Sequence, residues 1–234
     1  MWSKKRIVEE IAANKSLLLF LGLMLCFRSA VADWMVVPTG SMNPTIVEGD
    51  RILVDKAAYG LRIPFTEVRL THGADPQRGD IVIFPSPKDG MTLVKRVIGL
   101  PGDTIELRDE QLRINGRPVD YAPLEPEISA QLSEPERASG VFATEKLPGH
   151  THAVMAIKGV PAMRTFGPTP VPAGQYFMMG DNRDNSFDSR YFGTVDRDQI
   201  VGRVSSVVLS LDQSHYWLPR WNRTGSALDK PAQP

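Results

Sequence analysis

Leu93-Val94-Lys95-Arg96-Val97-Ile98, closed by Gly99 and by Pro101-Gly102-Asp103, reads as a strand that ends in a tight turn. Strand alternation puts Leu93, Lys95 and Val97 on one face and Val94, Arg96 and Ile98 on the other. One basic residue must therefore face each way. Upstream, Ile81-Val82-Ile83-Phe84 follows Gly79-Asp80 and is stopped by Pro85 and Pro87, and Ile52-Leu53-Val54 follows Gly49-Asp50. Downstream, Ile105-x-Leu107 and Leu112-x-Ile114 alternate before Asn115-Gly116, a hairpin turn signal. Tyr176-Phe177-Met178-Met179 and Val204-Ser205-Ser206-Val207-Val208-Leu209 read as further buried strands. No helical period of useful length follows residue 40, so the expected fold is mainly β.

The whole-chain averages narrow the class. The 234 residues carry Lys+Arg 27 against Asp+Glu 27, and 42% are hydrophobic. A wholly disordered chain is excluded, since it needs low hydrophobicity and high net charge. A polytopic membrane protein is excluded by a mean hydropathy slightly below zero. Zero net charge argues against nucleic-acid binding through a broad basic face. Cys26 is the single cysteine, which removes an internal disulfide and Cys-based zinc sites.

Near the N-terminus the averages break down. Lys4-Lys5-Arg6 and Lys15 precede an uncharged apolar run over 17–27, and Arg28 closely follows it. Three readings fit: a buried core helix, a cleavable signal peptide ending at Ala30-x-Ala32, or a retained single-span anchor. In the third, Lys15 and Arg28 snorkel to opposite interfaces and Trp34 meets the far headgroup layer. The excess of cations before the run keeps the N-terminus cytoplasmic and exports the rest.

Residues 108–172 differ from their surroundings, being rich in Pro, Glu, Ser and Ala. The hairpin signal beside them and apolar pieces such as Val154-Met155-Ala156-Ile157 predict a small, irregular β subdomain. The expected organisation is a short cytoplasmic N-terminus over 1–15, a transmembrane anchor over 16–35, and a β core over 36–107 and 173–211. The insert at 108–172 interrupts that core, and a tail follows over 212–234.

Four segments are candidates for chemistry. His150-Thr151-His152 places two rings on one face of a strand, but without an obvious third ligand; solvated loop histidines are the plainer reading. Asp181-Asn182-Arg183-Asp184-Asn185-Ser186-Phe187-Asp188 superficially resembles a calcium loop, but an EF-hand needs Gly and Glu where Ser186 and Phe192 stand. Its polar groups can instead satisfy one another and buttress a neighbouring site. Pro38-Thr39-Gly40-Ser41-Met42-Asn43-Pro44-Thr45 is a rigid turn able to present a hydroxyl and free N–H groups, or simply a connection between strands. Lys95 either sits solvated on a surface strand or is buried, where loss of its charge would make it a general base.

Taken in order, these blocks resemble those of bacterial type I signal peptidases. The similarity runs from the anchor and Phe27-Arg28-Ser29 through 38–45, then Gly49-Asp50-x-Ile52-Leu53-Val54-x-Lys56 and Arg78-Gly79-Asp80-Ile81-Val82-Ile83-Phe84. It continues with Lys95-Arg96-Val97-Ile98-Gly99-Leu100-Pro101-Gly102-Asp103 and Gly180-Asp181-Asn182-Arg183-Asp184-Asn185-Ser186-x-Asp188-Ser189-Arg190. The insert and the tail carry no family motif.

The resemblance implies a signal-peptidase-like β catalytic domain, with a small β insert, behind a single N-terminal transmembrane helix. It implies Ser41 as nucleophile and neutral Lys95 as general base, with Ser186 bonded to Lys95. The oxyanion hole would be the Ser41 backbone N–H with the hydroxyl of Thr39, where many members carry Ser. Asp188 and Arg190 would give supporting contacts, with Asp181 among their partners, and Met42 would shape the site. The implied activity is removal of N-terminal signal peptides from exported preproteins after Ala-x-Ala, without cofactor, metal or nucleic acid. The partners are preproteins and membrane lipid, and the implied location is the bacterial inner membrane with the catalytic domain on the periplasmic side. Ala30-Val31-Ala32 would itself be a site for self-cleavage. The alternatives are a relative specialised for one secretion or pilus substrate, and an inactive membrane-anchored binding module. The clustering of Trp217 and Trp221 in the tail further predicts that His215-Tyr216-Trp217-Leu218-Pro219-Arg220-Trp221 lies at the membrane surface beside Trp34.

Overall fold

The strand that carries Lys95 is an interior member of an eight-stranded antiparallel sheet. A computed structural model describes residues 13–228 apart from 67 and 214. Trp2, Lys4, Lys5 and Arg6, and the last residues of the tail, lie outside the described residues.

The first strands are β1 (Ala32–Val36), β2 (Asp50–Asp55), β3 (Ile81–Pro85), β4 (Thr92–Gly99), β5 (Thr104–Arg108), β6 (Gln111–Ile114), β7 (Arg117–Pro118) and β8 (Asp120–Ala122). They are followed by β9 (Gly140–Leu147), β10 (His150–Ile157), β11 (Phe166–Pro170), β12 (Gln175–Met179), β13 (Val195–Asp196), β14 (Gly202–Asp212) and β15 (Leu218–Pro219). The main sheet runs β1-β2-β14-β3-β4-β12-β13, with β15 attached to β14. Two further small sheets form, β10-β9-β8 within 108–172 and β11-β5-β6-β7, in which β5 begins in the segment just before it. Asn115 and Gly116 both have positive φ, 54° and 76°, as the sharp β6–β7 hairpin requires. The mainly β expectation holds.

β4 is buried from Lys95 to its end, and it feeds three apolar clusters. Val94 packs against Met42, Ile46, Ile81 and Ile83. Val97 joins Val82, Phe84 and Met178, and Ile98 joins a cluster with Ile105, Leu112 and Phe177. Each fully buried side chain of this size contributes about 1.5–3 kcal/mol. The central strand therefore has little freedom to move the lysine it carries.

At the N-terminus, α1 (Lys15–Ala30) is a single helix of 16 residues. At 1.5 Å per residue it is about 24 Å long. Among the described residues, no helix is long and apolar enough to cross a membrane. Leu17, Leu18, Leu19, Phe20, Leu23, Leu25 and Phe27 are nevertheless all exposed. The far end assigned to the anchor, 31–35, is a turn followed by β1, which pairs with β2 from Ala32↔Asp55 to Val36↔Arg51. The Ala32–Asp33 bond thus lies inside a hydrogen-bonded strand. Arg28 forks onto Asp33, and Lys56 bonds both Asp33 and the Arg28 carbonyl, which ties the helix end to β2.

The tail strand β15 is set apart from Trp34, which is in register with Leu53 and through it with Ser206, five residues before Leu211. β15 pairs with Leu211 and Asp212, at the opposite end of β14 from Arg203, which lies beside Asp55 and the foot of α1. Eight residues of strand separate the two ends, about 26 Å at 3.3 Å per residue.

Candidate active site

The segment after β1 is pinned at its base by Val37 N–H to Asp50 O (2.9 Å) and Gly49 N–H to Val37 O (3.1 Å). It then forms a 3-10 turn over Gly40–Met42. Met42 is buried among Val37, Ile46 and Ile52, beneath the half-buried Ser41. Thr39 precedes the turn in extended conformation (φ −136°, ψ 151°) and is exposed. Ser41 stands in the first residues of the turn, where N–H groups have no intrahelical acceptor.

The polar loop after β12 holds this turn from the other side. Asn182 donates its N–H to Ser41 O (3.1 Å) and its side-chain amide to Gly40 O (3.1 Å). Close approach is possible because position 180 is glycine: a Cβ there would stand 2.5 Å from Ser41 O and 2.3 Å from Ser186 Oγ.

Lys95 reaches Ser41 from β4, with Nζ donating to Oγ at 2.8 Å. Its side chain is 2% exposed. Burial lowers its pKa from 10.5 to about 8, while the carboxylates of Asp188 and Asp181 pull it up and Arg190 pushes it down. A large fraction is therefore neutral near pH 8, and a neutral amine at this position has the Ser41 hydroxyl within hydrogen-bond reach. A hydroxyl, a poised base and free N–H groups on one turn suit acyl transfer.

Residues 10–209 match the family model described as "Signal peptidase, peptidase S26". The chain belongs to this family. The Signal peptidase I of Pseudomonas fluorescens is 38% identical, over 91% of this chain and 77% of its own length. That of Bacillus licheniformis is 35% identical, over 85% of this chain and 88% of its own. A solved signal peptidase I from Enterococcus faecalis is 36% identical, with a TM-score of 0.34, over 56% of this chain and 97% of that one. As a member of the S26 family, the chain is a serine endopeptidase.

Around the Ser41–Lys95 pair of this peptidase, several expected contacts are redistributed. Asp181 does not pair with Arg190. It takes a two-pronged bond from Arg96, Nε to Oδ1 (2.8 Å) and Nη2 to Oδ2 (2.6 Å), and accepts Thr45 Oγ1 at 2.5 Å. Asp188 and Arg190 pair with each other at 2.9 Å, and Asp188 also accepts the Gly180 N–H at 3.0 Å. Arg190 then donates to the Arg183 carbonyl, which closes the loop on itself. The Ser186 hydroxyl is buried beside Gly180 without a partner, so the expected bond to Lys95 is not formed.

His150 and His152 do not lie in a solvated loop. His150 and His152 lie on β10 with ring centroids 5.6 Å apart, and His152 is 7% exposed. Burial first, then the Arg96 charge, holds both below the usual histidine range, so they are neutral near pH 7. Arg96 Nη1 faces His150 Nε2 at 3.1 Å. Among the described residues no group of three or more His, Cys, Asp or Glu is arranged to hold a metal ion.

Arg96, Asn182 and Thr45 are the functional neighbours that sequence reasoning did not single out. Strand alternation required an ion pair or water for Arg96, but nothing local names a partner 85 residues away. Asn182 was one of many polar residues in its loop, and its role appears only when the loop meets the 3-10 turn.

Proposed function

We propose that this peptidase removes N-terminal signal peptides from exported preproteins, cutting after small residues in an Ala-x-Ala pattern, with Ser41 as nucleophile and neutral Lys95 as general base. The observation that carries the reading is the 2.8 Å contact between a fully buried lysine amine and a serine hydroxyl on a rigid turn. The name its relatives share, Signal peptidase I, supports the substrate class.

In the first step Lys95 Nζ takes the Ser41 proton as Oγ attacks the scissile carbonyl. The Ser41 N–H and the Thr39 hydroxyl stabilise the oxyanion. The C–N bond breaks as protonated Lys95 gives its proton to the leaving amine. In the second step Lys95 removes a proton from water, the resulting hydroxide attacks the acyl carbon, and Lys95 returns the proton to Ser41 Oγ. Ser186, Asp188, Arg190, Asp181 and Met42 hold the frame around the pair. The preprotein binds as an extended strand.

The enzyme is anchored in the bacterial inner membrane by its N-terminal segment, with the catalytic domain on the periplasmic side. The exposed leucines of α1, bounded by Lys15 and Arg28, support this. A helix of about 24 Å is short for the roughly 30 Å hydrocarbon core, and Lys15 and Arg28 at its ends snorkel to the two interfaces.

The test is cleavage of a model preprotein by the wild type, Ser41→Ala and Lys95→Ala. Each substitution is expected to lower kcat by roughly 10³-fold or more. Equal cleavage by all three would overturn the mechanism.

A further inference from the structure

Between β8 and β9 the chain sends one side chain to the turn that presents Ser41. This segment folds into a short helix, α2 (Glu134–Ser139), and Glu136 within it is half-buried. Its carboxylate is divided between two tasks. Oε2 accepts the Ser133 N–H (3.0 Å) and the Ser133 hydroxyl (2.6 Å), as in a capping box at the start of the helix. Oε1 accepts the side-chain amide of Asn43 at 2.7 Å, across 93 residues of sequence. The base of the helix is itself seated, since Leu132 packs with Val47 and Met155 in a small buried cluster beside Phe142 and Ile157.

Asn43 is 1% exposed and directly follows the 3-10 turn. Its N–H donates to the Gly40 carbonyl at 3.1 Å, which closes the turn. Its side chain folds back over the same residue: a Cβ at Gly40 would stand 2.7 Å from Asn43 Nδ2 and 3.6 Å from Glu136 Oε1. Among the described residues Asn43 Oδ1 has no hydrogen-bond partner, so the bond to Glu136 fixes the direction of this amide. A bond to a charged acceptor is stronger than one between neutral groups. The turn is thus gripped at two places, by Asn182 and by Glu136 through Asn43.

We propose that Glu136 is a positioning residue for the nucleophile, its carboxylate fixing the Ser41 turn through Asn43. This rests on the reading of Ser41 as nucleophile. The charges that act on Lys95 are those of Asp188, Asp181 and Arg190, so Glu136 sets the geometry of the serine and not the basicity of the lysine. Without its bond the Asn43 amide is free to swing off Gly40, and the turn gains freedom that spreads Ser41 Oγ over unproductive positions. Misplacing a reacting atom by about 1 Å costs roughly 10²-fold in rate. The bonds from Asn182 remain in place, so the expected loss is smaller, roughly tenfold.

The experiment uses the full chain in detergent and follows cleavage of a short soluble peptide. Glu136→Ala and Asn43→Ala are each expected to lower kcat by roughly tenfold with KM within about twofold, and the double variant to be no worse than either single one. Glu136→Gln keeps a carbonyl oxygen for the Asn43 amide and is expected to stay within about threefold of the wild type. The inflection of kcat/KM at about 8 is expected to stay in place in Glu136→Ala. Val119→Ala removes two methyl groups from the buried cluster of Ile105, Leu112 and Leu147, and is the control for lost stability in this part of the chain. It is expected to lower the melting temperature while kcat stays within about twofold. The assignment is overturned if Glu136→Ala cleaves like the wild type, if the losses multiply in the double variant, or if Gln at 136 is as poor as Ala. An equal loss of kcat in Val119→Ala, or a shifted inflection in Glu136→Ala, overturns it as well. If Ser41→Ala cleaves like the wild type, the nucleophile reading fails and takes the assignment with it; if only Glu136→Ala does, the assignment fails and the nucleophile stands.

Discussion

The proposed general base, Lys95, acts uncharged, and its burial brings that form within reach near pH 8 at a cost in stability. Its folded pKa of about 8 lies below the ordinary 10.5, so the unfolded chain binds the extra proton more tightly. Stability linked to this group is present above about pH 10.5 and is lost as pH falls through 8, each tenfold difference in proton affinity being worth roughly 1.4 kcal/mol. Lys95→Met is therefore expected to be inactive yet more stable than the wild type by about 3 kcal/mol near pH 6. That difference shrinks above pH 10, and parallel denaturant melts at the two pH values check it. At position 39 the proposed oxyanion role calls for the hydroxyl and not for the branch. Thr39→Ser is expected to keep kcat within about threefold, and Thr39→Val to lower it by roughly 10²-fold with KM little changed. The lysine and serine were legible in the sequence because strand alternation and a small-residue turn narrow the candidates, and the family resemblance assigns them. Alternation left open which cation is buried. Both are, since Arg96 meets the Asp181 carboxylate in a two-pronged bond.

At the scale of elements, the site is a 3-10 turn clamped between β4 and the loop after β12. The strands were readable from β-branched runs and from turn signals such as Asn115-Gly116, which local chemistry dictates. The contacts between them were not readable, because Asn182, Gly40 and Ser41 are far apart in the chain and meet only through the sheet order β4-β12. The same lack of long-range information made His150 and His152 look solvated, when the small sheet packs them onto Arg96. Two substitutions separate frame from position. Asp181→Asn leaves the Arg96 charge uncompensated in the core, and a loss of about 3–5 kcal/mol is expected in denaturant unfolding. Asn182→Ala removes one bond to the Ser41 turn while keeping the main-chain bond. It is expected to lower kcat by roughly tenfold with little change in melting temperature, as steady-state kinetics and calorimetry will show.

For the whole molecule, the apolar run near the N-terminus was visible as a sequence feature, but its junction with the domain was not. Periodicity gave no reason to end the helix at Ala30 or to start a strand at Ala32. The ending follows from the Arg28–Asp33–Lys56 cluster and from β1 pairing with β2. Tryptophan placement was not decided by the sequence for a related reason: composition shows that residues lie near a chain end, and only β14 shows which end of the sheet that is. If α1 serves to hold the enzyme where its substrates emerge, removing residues 1–30 should leave cleavage of a short soluble peptide within about twofold. Processing of a membrane-bound preprotein in vesicles should slow by roughly tenfold or more, since the anchor raises effective concentration.

The pH dependence of kcat/KM on a short peptide without titratable groups tests the central claim most directly. A neutral lysine acting as general base requires a tenfold rise per pH unit below an inflection at about 8, and a plateau above it. An inflection near 6.5, as for a histidine base, or a profile flat between about pH 6 and 9, would contradict it.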